Sequence, residues 1–514
     1  MKKSIIYLAI GLLTVASFTA CKKSVAPTPI PSGPSPNDAG TALDRVKDSV
    51  YLFTQEDNLW YSTLPTYANF KPRSFTGKTD QAALQSEVDA LSQYSTNPTT
   101  GKPYEYETDP RYAGTAKYSF IDQGQVATSL GGTNGDYGFS AIYNTTTDLR
   151  IKYVYPGSPA DKAGVVRGYQ IVSIKNVASV NYDTSNGNAP QDLNNAIFSS
   201  STITITLQKP DNTTFNVTLN TANYTVVPVL KSKVLDLGNG KKMGYMVFNS
   251  FTDLNGNAKT YLNAAFASFT AAGITDLVVD LRYNGGGSVE TSAYLANLIV
   301  PAAKTNTPMF TYYYNDKLQN DKYPLLAKKY KLAPGDFKPA NTNNQPIFSK
   351  AGSLNINRVF FIVTGNTASA SELTINNLIP EMNVQLIGTP TYGKPVGFFA
   401  IPIGAYQLYT PEFETRNSAN QGGYYSGMTP GSATYPGVQA SDDVTHDFGD
   451  VNEALLARAI NYATKGTYAL PPSLVVQSTA SAGNKLTEEQ VNRASHDLSP
   501  RSEVKQMIYD KFKK

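Results

Sequence analysis

The stretches "ITDLVVDLRYNGGGS" (274–288) and "NRVFFIVTG" (357–365) are apolar at consecutive positions rather than at alternate ones. A strand with one wet face alternates apolar and polar side chains, so a strand apolar throughout has to be covered on both faces. Around these runs lie helical patterns: "AKTYLNAAFASFTAAG", "VETSAYLANLIV" and "SASELTINNLIP". Doubly buried strands separated by helices point to a sheet with helices on each face. This α/β region runs over residues 226–470. The loops at its strand C-termini are the natural place for a site.

At 514 residues the chain is too long for one ordinary domain. Residues 42–114 read as a helical N-terminal domain, with Leu43, Val46, Val50 and Phe53 recurring three and four apart, as do Leu84, Val88 and Leu91. Residues 115–225 change to short strands with Gly, Asn and Asp turns, ending in the hairpin pattern "STITITLQKPDNTTFNVTL". The tail, 471–514, opens on Pro471-Pro472 and ends in a charged segment with the makings of one helix. The expected fold class is therefore multidomain α+β, with helical, β-rich and α/β parts in that order. A net charge of +4 with no basic run argues against nucleic acid as a partner.

The only cysteine is Cys21, which leaves no internal disulfide and no thiolate metal site. Met1-Lys2-Lys3, the apolar stretch Ile5 to Val15 and "SFTAC" resemble a lipoprotein signal. That resemblance implies removal of residues 1–20 and lipidation of Cys21. An ordinary secretory signal with an incidental cysteine is the alternative, and Phe18 is not the residue usual at its position. Residues 21–41, rich in proline, then make an extended tether. Both versions imply export; the lipidated one implies a cell-envelope protein, held at the outer membrane through its anchor alone.

The stretch "TGNTASASE" follows a buried strand and opens a helix. A helix N-terminus carries free N–H groups and partial positive charge, which suits a serine attacking a carbonyl. Ser369 or Ser371 also fits a plain helix cap, with Glu372 favoured by the helix dipole. For a proton acceptor, His446 lies between Asp443 and Asp447, His496 sits in the polar tail, and Lys394 follows the next strand. Lysine serves as a base where burial leaves it neutral. The turn Gly285-Gly286-Gly287 offers bare amides for an oxyanion. Its spacing matches neither a dinucleotide nor a phosphate loop.

Taken together, "DLRYNGGGS", "SASE" and "YGK" resemble the C-terminal processing, or tail-specific, protease family, and "PGSPADKAGVVRGYQIVSIKN" resembles the PDZ modules of exported proteases. The resemblance implies a core of the ClpP/crotonase-like type, with Ser369 as nucleophile and Lys394, 25 residues on, as general base. It implies an oxyanion hole from the amides of Ala370 and Gly286 or Gly287, and no metal or organic cofactor. The PDZ-like module, 115–225, is implied to cradle a peptide carboxylate at Tyr137, Gly138 and Phe139, or to gate the site; a plain β-barrel module is the alternative. Many family members carry glutamine four residues beyond the lysine, where this chain has Phe398. The expected function is thus a lipid-anchored serine endopeptidase acting on polypeptides through their C-termini. A non-catalytic peptide- or ligand-binding protein on the same fold is the rival.

Overall fold

The computed structural model describes residues 40–471, 486–498 and 506–512. The expectations for the leader, Cys21 and most of the tether lie outside the described residues. Helix α1 (Ala42–Asp57) starts at a reciprocal cap. Thr41 Oγ1 accepts the Asp44 N–H at 3.1 Å, and the Asp44 carboxylate accepts the Thr41 N–H at 2.8 Å. Helix α2 (Asp80–Ser92) lies beside it. Val46, Val50, Phe53, Leu84 and Val88 belong to the same continuous apolar cluster as Phe361 and Leu386 of the main sheet. The helical segment is therefore a layer of the central core rather than a domain with a core of its own. Periodicity showed that these helices have an apolar face, but carries no information on what covers it.

The β-rich module consists of β1 (Phe139–Thr145), β2 (Asp148–Val154), β3 (Gln170–Ile174), helix α3 (Gln191–Phe198), β4 (Thr202–Gln208) and β5 (Thr214–Asn220). Its five strands pair antiparallel in chain order, which leaves β1 and β5 as edges. Ile151, Leu193, Ile205 and Leu207 fill a separate core. The strand Phe120–Asp122 pairs with Tyr406–Tyr409 of the α/β region, so the module begins later than the expected residue 115.

In the α/β region, β6 (Val229–Gly238) and β7 (Lys241–Phe248) form an antiparallel edge. They are followed by α4 (Lys259–Ala272), β8 (Asp276–Asp280), the short β9 (Gly286–Ser288) and α5 (Val289–Ile299). Next come β10 (Arg358–Val363), α6 (Ala370–Leu378), β11 (Asn383–Gly388), β12 (Val396–Gly397), β13 (Gly437–Gln439) and α7 (Ala454–Lys465). The six-stranded sheet runs β13-β11-β10-β8-β7-β6, parallel everywhere except at β6. Leu277, Val279, Phe361 and Leu386 pack with Leu262, Leu295 and Leu373 of α4, α5 and α6. The alternate residues Val278, Phe360, Ile362 and Ile387 pack with Leu455 and Ala459 of α7. Both faces are covered, as the unbroken apolar runs require. Each such fully buried side chain contributes about 1.5–3 kcal/mol.

The tail forms helix α8 (Glu488–Asp497), set against β1, and strand β14 (Gln506–Ile508), which pairs parallel with β9. The expected single charged helix is thus a helix followed by a strand. Among the described residues no helix is long and apolar enough to cross a membrane.

Candidate active site

Strands β8 and β10 are parallel neighbours, with Asp280 opposite Ile362, so the loops after them emerge side by side. The Thr367 hydroxyl donates to Leu281 O at 2.8 Å, and Ala368 N–H donates to Asn284 O at 3.1 Å. These bonds hold the glycine turn against the start of α6. Ser371 Oγ donates to Asn284 O at 3.0 Å and so joins the same clamp.

Ser369 differs from Ser371 in each of these respects. It precedes α6 with φ 63° and ψ −113°, a left-handed backbone that side chains with a Cβ disfavour. The residue is fully buried, and its Oγ has no hydrogen-bond partner among the described residues. Residue order matches a capping box, yet the half with ordinary geometry is the return one, Ser369 N–H to Glu372 Oε2 at 2.8 Å. A cap hydroxyl normally satisfies an N-terminal amide. This one remains available at the positive end of the helix.

Glu372 is the hub of the site. Its Oε2 accepts the N–H groups of Ser369 and of Lys394, at 2.8 and 2.9 Å, while Oε1 accepts the Thr391 hydroxyl at 2.5 Å and the Gly393 N–H at 2.7 Å. Burial pushes its carboxyl above the ordinary value, and these four donors pull it back. Because Ser369 and Lys394 share one acceptor atom, their backbone nitrogens are no more than about 6 Å apart.

The Lys394 side chain is buried, with Nζ 3.9 Å from the Phe398 ring centroid and 5.7 Å from that of Tyr118. Phe398, which stands where many members of the resembled family carry glutamine, supplies a π face beneath Nζ. Tyr118 fixes the same loop by donating its hydroxyl to Gly393 O at 2.6 Å. Beside it the buried Glu105 accepts the Tyr118 N–H, the Ser119 N–H and the Ser119 hydroxyl at 2.9, 2.7 and 2.6 Å. Burial raises the Glu105 carboxyl, whereas these bonds and the charge of Lys394 lower it. Glu105 and Tyr118 carry no motif in the sequence. Their one signal is a carboxylate and a tyrosine in a segment that otherwise reads as connecting chain.

The amides of the glycine turn differ in their engagement. Gly286 N–H already donates to Asn284 Oδ1 at 2.9 Å, so it is not presented to a ligand. Gly287 sits at φ 138°, and a Cβ there would lie 2.1 Å from Phe251 O, which restricts the position to glycine. Ala370 is the first residue of α6, where an N–H has no acceptor within the helix. Gly287 and Ala370 are thus the two oxyanion candidates with amides not committed elsewhere in their own loops.

Below the turn lies a buried ion cluster. Arg282 binds Asp280 through Nε at 2.9 Å, Glu453 at 2.8 Å and Asp442 at 2.6 Å. Arg167, from the module, donates to Tyr283 Oη at 2.9 Å and thereby links the module to the motif carrying the glycines. His446 stands apart: among the described residues its ring bonds to Asp443, at 2.7 Å, and to Thr445. His496 falls in α8. In the module Tyr137 donates its hydroxyl to Ser200 O at 2.6 Å, and Phe139 starts β1. Gly138 N–H donates to Asp136 Oδ1 at 2.7 Å.

Residues 242–415 match the model of peptidase family S41. The carboxyl-terminal-processing protease of Picosynechococcus sp. is 26% identical over 291 residues, 56% of this chain and 61% of that protein. The carboxy-terminal-processing protease of Bartonella bacilliformis is 25% identical over 332 residues, 61% of this chain and 64% of that one. The chain therefore spans about three fifths of the length of these curated relatives. A crystal structure of an S41 protease candidate from Bacteroides fragilis superposes with a TM-score of 0.53 at 24% identity, covering 81% of this chain and 97% of that one. That likeness is one of fold.

Proposed function

We propose that the chain is a member of peptidase family S41, whose model residues 242–415 match, and that it is an exported, lipid-anchored serine endopeptidase whose catalytic pair is Ser369 and Lys394. Neutral Lys394 Nζ takes the proton of Ser369 Oγ as the oxygen bonds to a peptide carbonyl carbon. The oxyanion of the tetrahedral intermediate faces the amides of Ala370 and Gly287. Collapse breaks the C–N bond, and the leaving amine takes the proton from Lys394. Water then adds to the acyl ester, passes a proton to Lys394, and the acid departs as Ser369 Oγ regains its hydrogen.

One observation carries this reading: the hydroxyl of Ser369 is buried and without a partner among the described residues at a strained helix entry, while Glu372 ties its backbone to that of Lys394. An oxygen serving only structure would be expected to hold a bond, as Ser371 does. The module, which resembles PDZ, is assigned a gating role through the Arg167–Tyr283 contact, which suits the engaged amide of Gly138 better than carboxylate capture. Its substrates are polypeptides, in keeping with the processing proteases it resembles.

The test is cleavage of an unstructured polypeptide with an apolar C-terminus, its products read by mass spectrometry. Ser369→Ala and Lys394→Ala are each expected to abolish the products made by the native chain. Equal behaviour of all three proteins defeats the reading and leaves the binding-protein rival. Cys21→Ala is expected to move the protein from the membrane fraction to the soluble one.

A further inference from the structure

The C-terminal segment lies in the gap between the two halves of the site. Strand β14 runs parallel to β9 with Met507 opposite Gly287. On its other side Met507 O accepts the Phe398 N–H at 2.9 Å, and Tyr509 N–H donates to Phe398 O at 2.9 Å. The main-chain groups of successive strand residues turn to opposite sides. Gly286 O and Ser288 N–H are bonded to Phe251, so Gly287 turns its N–H and C=O toward the tail. Gly287 is one of the two amides assigned above to the oxyanion. Phe398, which brackets the tail from the other side, is the residue whose ring lies under the Lys394 ammonium. The segment thus adds a strand between the oxyanion turn and the loop carrying the base, which is how extended peptides dock on sheet edges.

Its side chains are seated as well. Met507 is buried in the main core and Ile508 in the cluster of Tyr118, Val396 and Phe398. Tyr509 stacks on Tyr312 at 4.6 Å and Phe512 on Tyr330 at 3.8 Å. A second anchor precedes it, since Ala494 of α8 and Leu498 just after it are buried in the core of the module beside the edge strand β1. Ser140 of β1 donates its hydroxyl to Leu498 O at 3.5 Å, and Arg111 pairs with Asp497 at 2.9 Å. Helix α8 thus lies against the edge strand of the module, and β14 lies between β9 and Phe398.

We propose that residues 506–512 are an intramolecular ligand of the S41 site, bound as an extended strand along the path a substrate takes, so that substrates act by displacing it. The inference rests on the Ser369–Lys394 reading and gives that site a substrate class: extended segments with adjacent apolar residues followed by aromatic ones. A tethered competitor acts at an effective concentration on the order of 1 mM, so free polypeptides reach the site poorly until the tail leaves.

Three proteins test this: the full chain, the chain ended after Lys505, and the full chain with Met507→Asp, each with and without Ser369→Ala. The probe is a fluorescent peptide of residues 500–514. The shortened Ser369→Ala protein is expected to bind it, and the full-length Ser369→Ala protein to bind it at least about ten-fold more weakly. In the forms retaining Ser369, shortening and Met507→Asp should each raise kcat/KM on the unstructured polypeptide by at least about ten-fold, and added peptide should reverse the gain. Equal binding to the two Ser369→Ala proteins, or none to either, overturns the proposal. Should the shortened chain fail to fold, hydrogen exchange at residues 286–288 and 398 in Met507→Asp decides. Faster exchange there at an unchanged Tm supports displacement, and unchanged exchange overturns it. If no protein cleaves anything, the protease reading fails while peptide binding still decides the tail.

Discussion

Ser369 and Lys394 donate their backbone N–H groups to a single atom, Oε2 of Glu372. With Thr391 and Gly393 on Oε1, this carboxylate receives four donors and offers none. Glu372→Gln keeps the shape but turns an amide NH2 toward two of those donors. A buried donor left unmatched costs about 1–3 kcal/mol. A displacement of about 1 Å between catalytic groups costs about 100-fold in rate. Glu372→Gln is therefore expected to lower the urea midpoint and to reduce kcat by about two decades, measured by denaturation and by cleavage of the unstructured polypeptide.

The strain at Ser369 makes a prediction of opposite sign. Glycine adopts φ 63° freely, and the hydroxyl it would remove makes no hydrogen bond among the described residues. Ser369→Gly should stabilise the fold by about 1 kcal/mol while abolishing cleavage. A loss of stability would mean that the hydroxyl serves as an ordinary cap.

Phe398 is held edge-on against Phe120 at 5.9 Å and Tyr409 at 6.0 Å, which keeps its face toward Lys394. Phe398→Leu retains bulk and burial but loses the π face, an interaction of about 0.5–2 kcal/mol. We expect kcat to fall by about ten-fold with Tm within a few degrees of the native value. An unchanged kcat would show that the ring only fills space.

His446 gives a pH signature separable from the site. Its hydrogen bond to Asp443 raises the imidazole above its ordinary value of 6.5. A base whose folded value is raised adds stability below its unfolded value and loses it as pH rises through the folded one. The stability difference between the native chain and His446→Gln should thus be full below about pH 6 and shrink as pH rises past 7, followed by urea denaturation at several pH values.

The sheet was legible because Leu277–Val279 and Val359–Val363 are apolar on both faces, a pattern that few other structures produce. That Ser369, Lys394 and the glycine turn share one end of the sheet was legible because each follows a strand in a short, local run. Glu105 and Tyr118 were not, since their approach to Lys394 is set by packing between segments far apart in the chain. Nor was the engagement of Gly286 by Asn284, which depends on one side-chain rotamer. Three residues of β14 are too few to show alternation, and their pairing with β9 is long-range. The reach of α1 and α2 into the central core failed for a related reason: an amphipathic pattern marks a buried face and leaves its partner open.

The central claim is tested most directly by cleavage of one unstructured polypeptide by four proteins ended after Lys505: the otherwise native chain, Ser369→Ala, Lys394→Ala and His446→Ala. The expected result is the same set of product masses from the native and His446→Ala proteins and none from the other two. Products from Lys394→Ala at the native rate, with loss in His446→Ala, would contradict the Ser369–Lys394 pair.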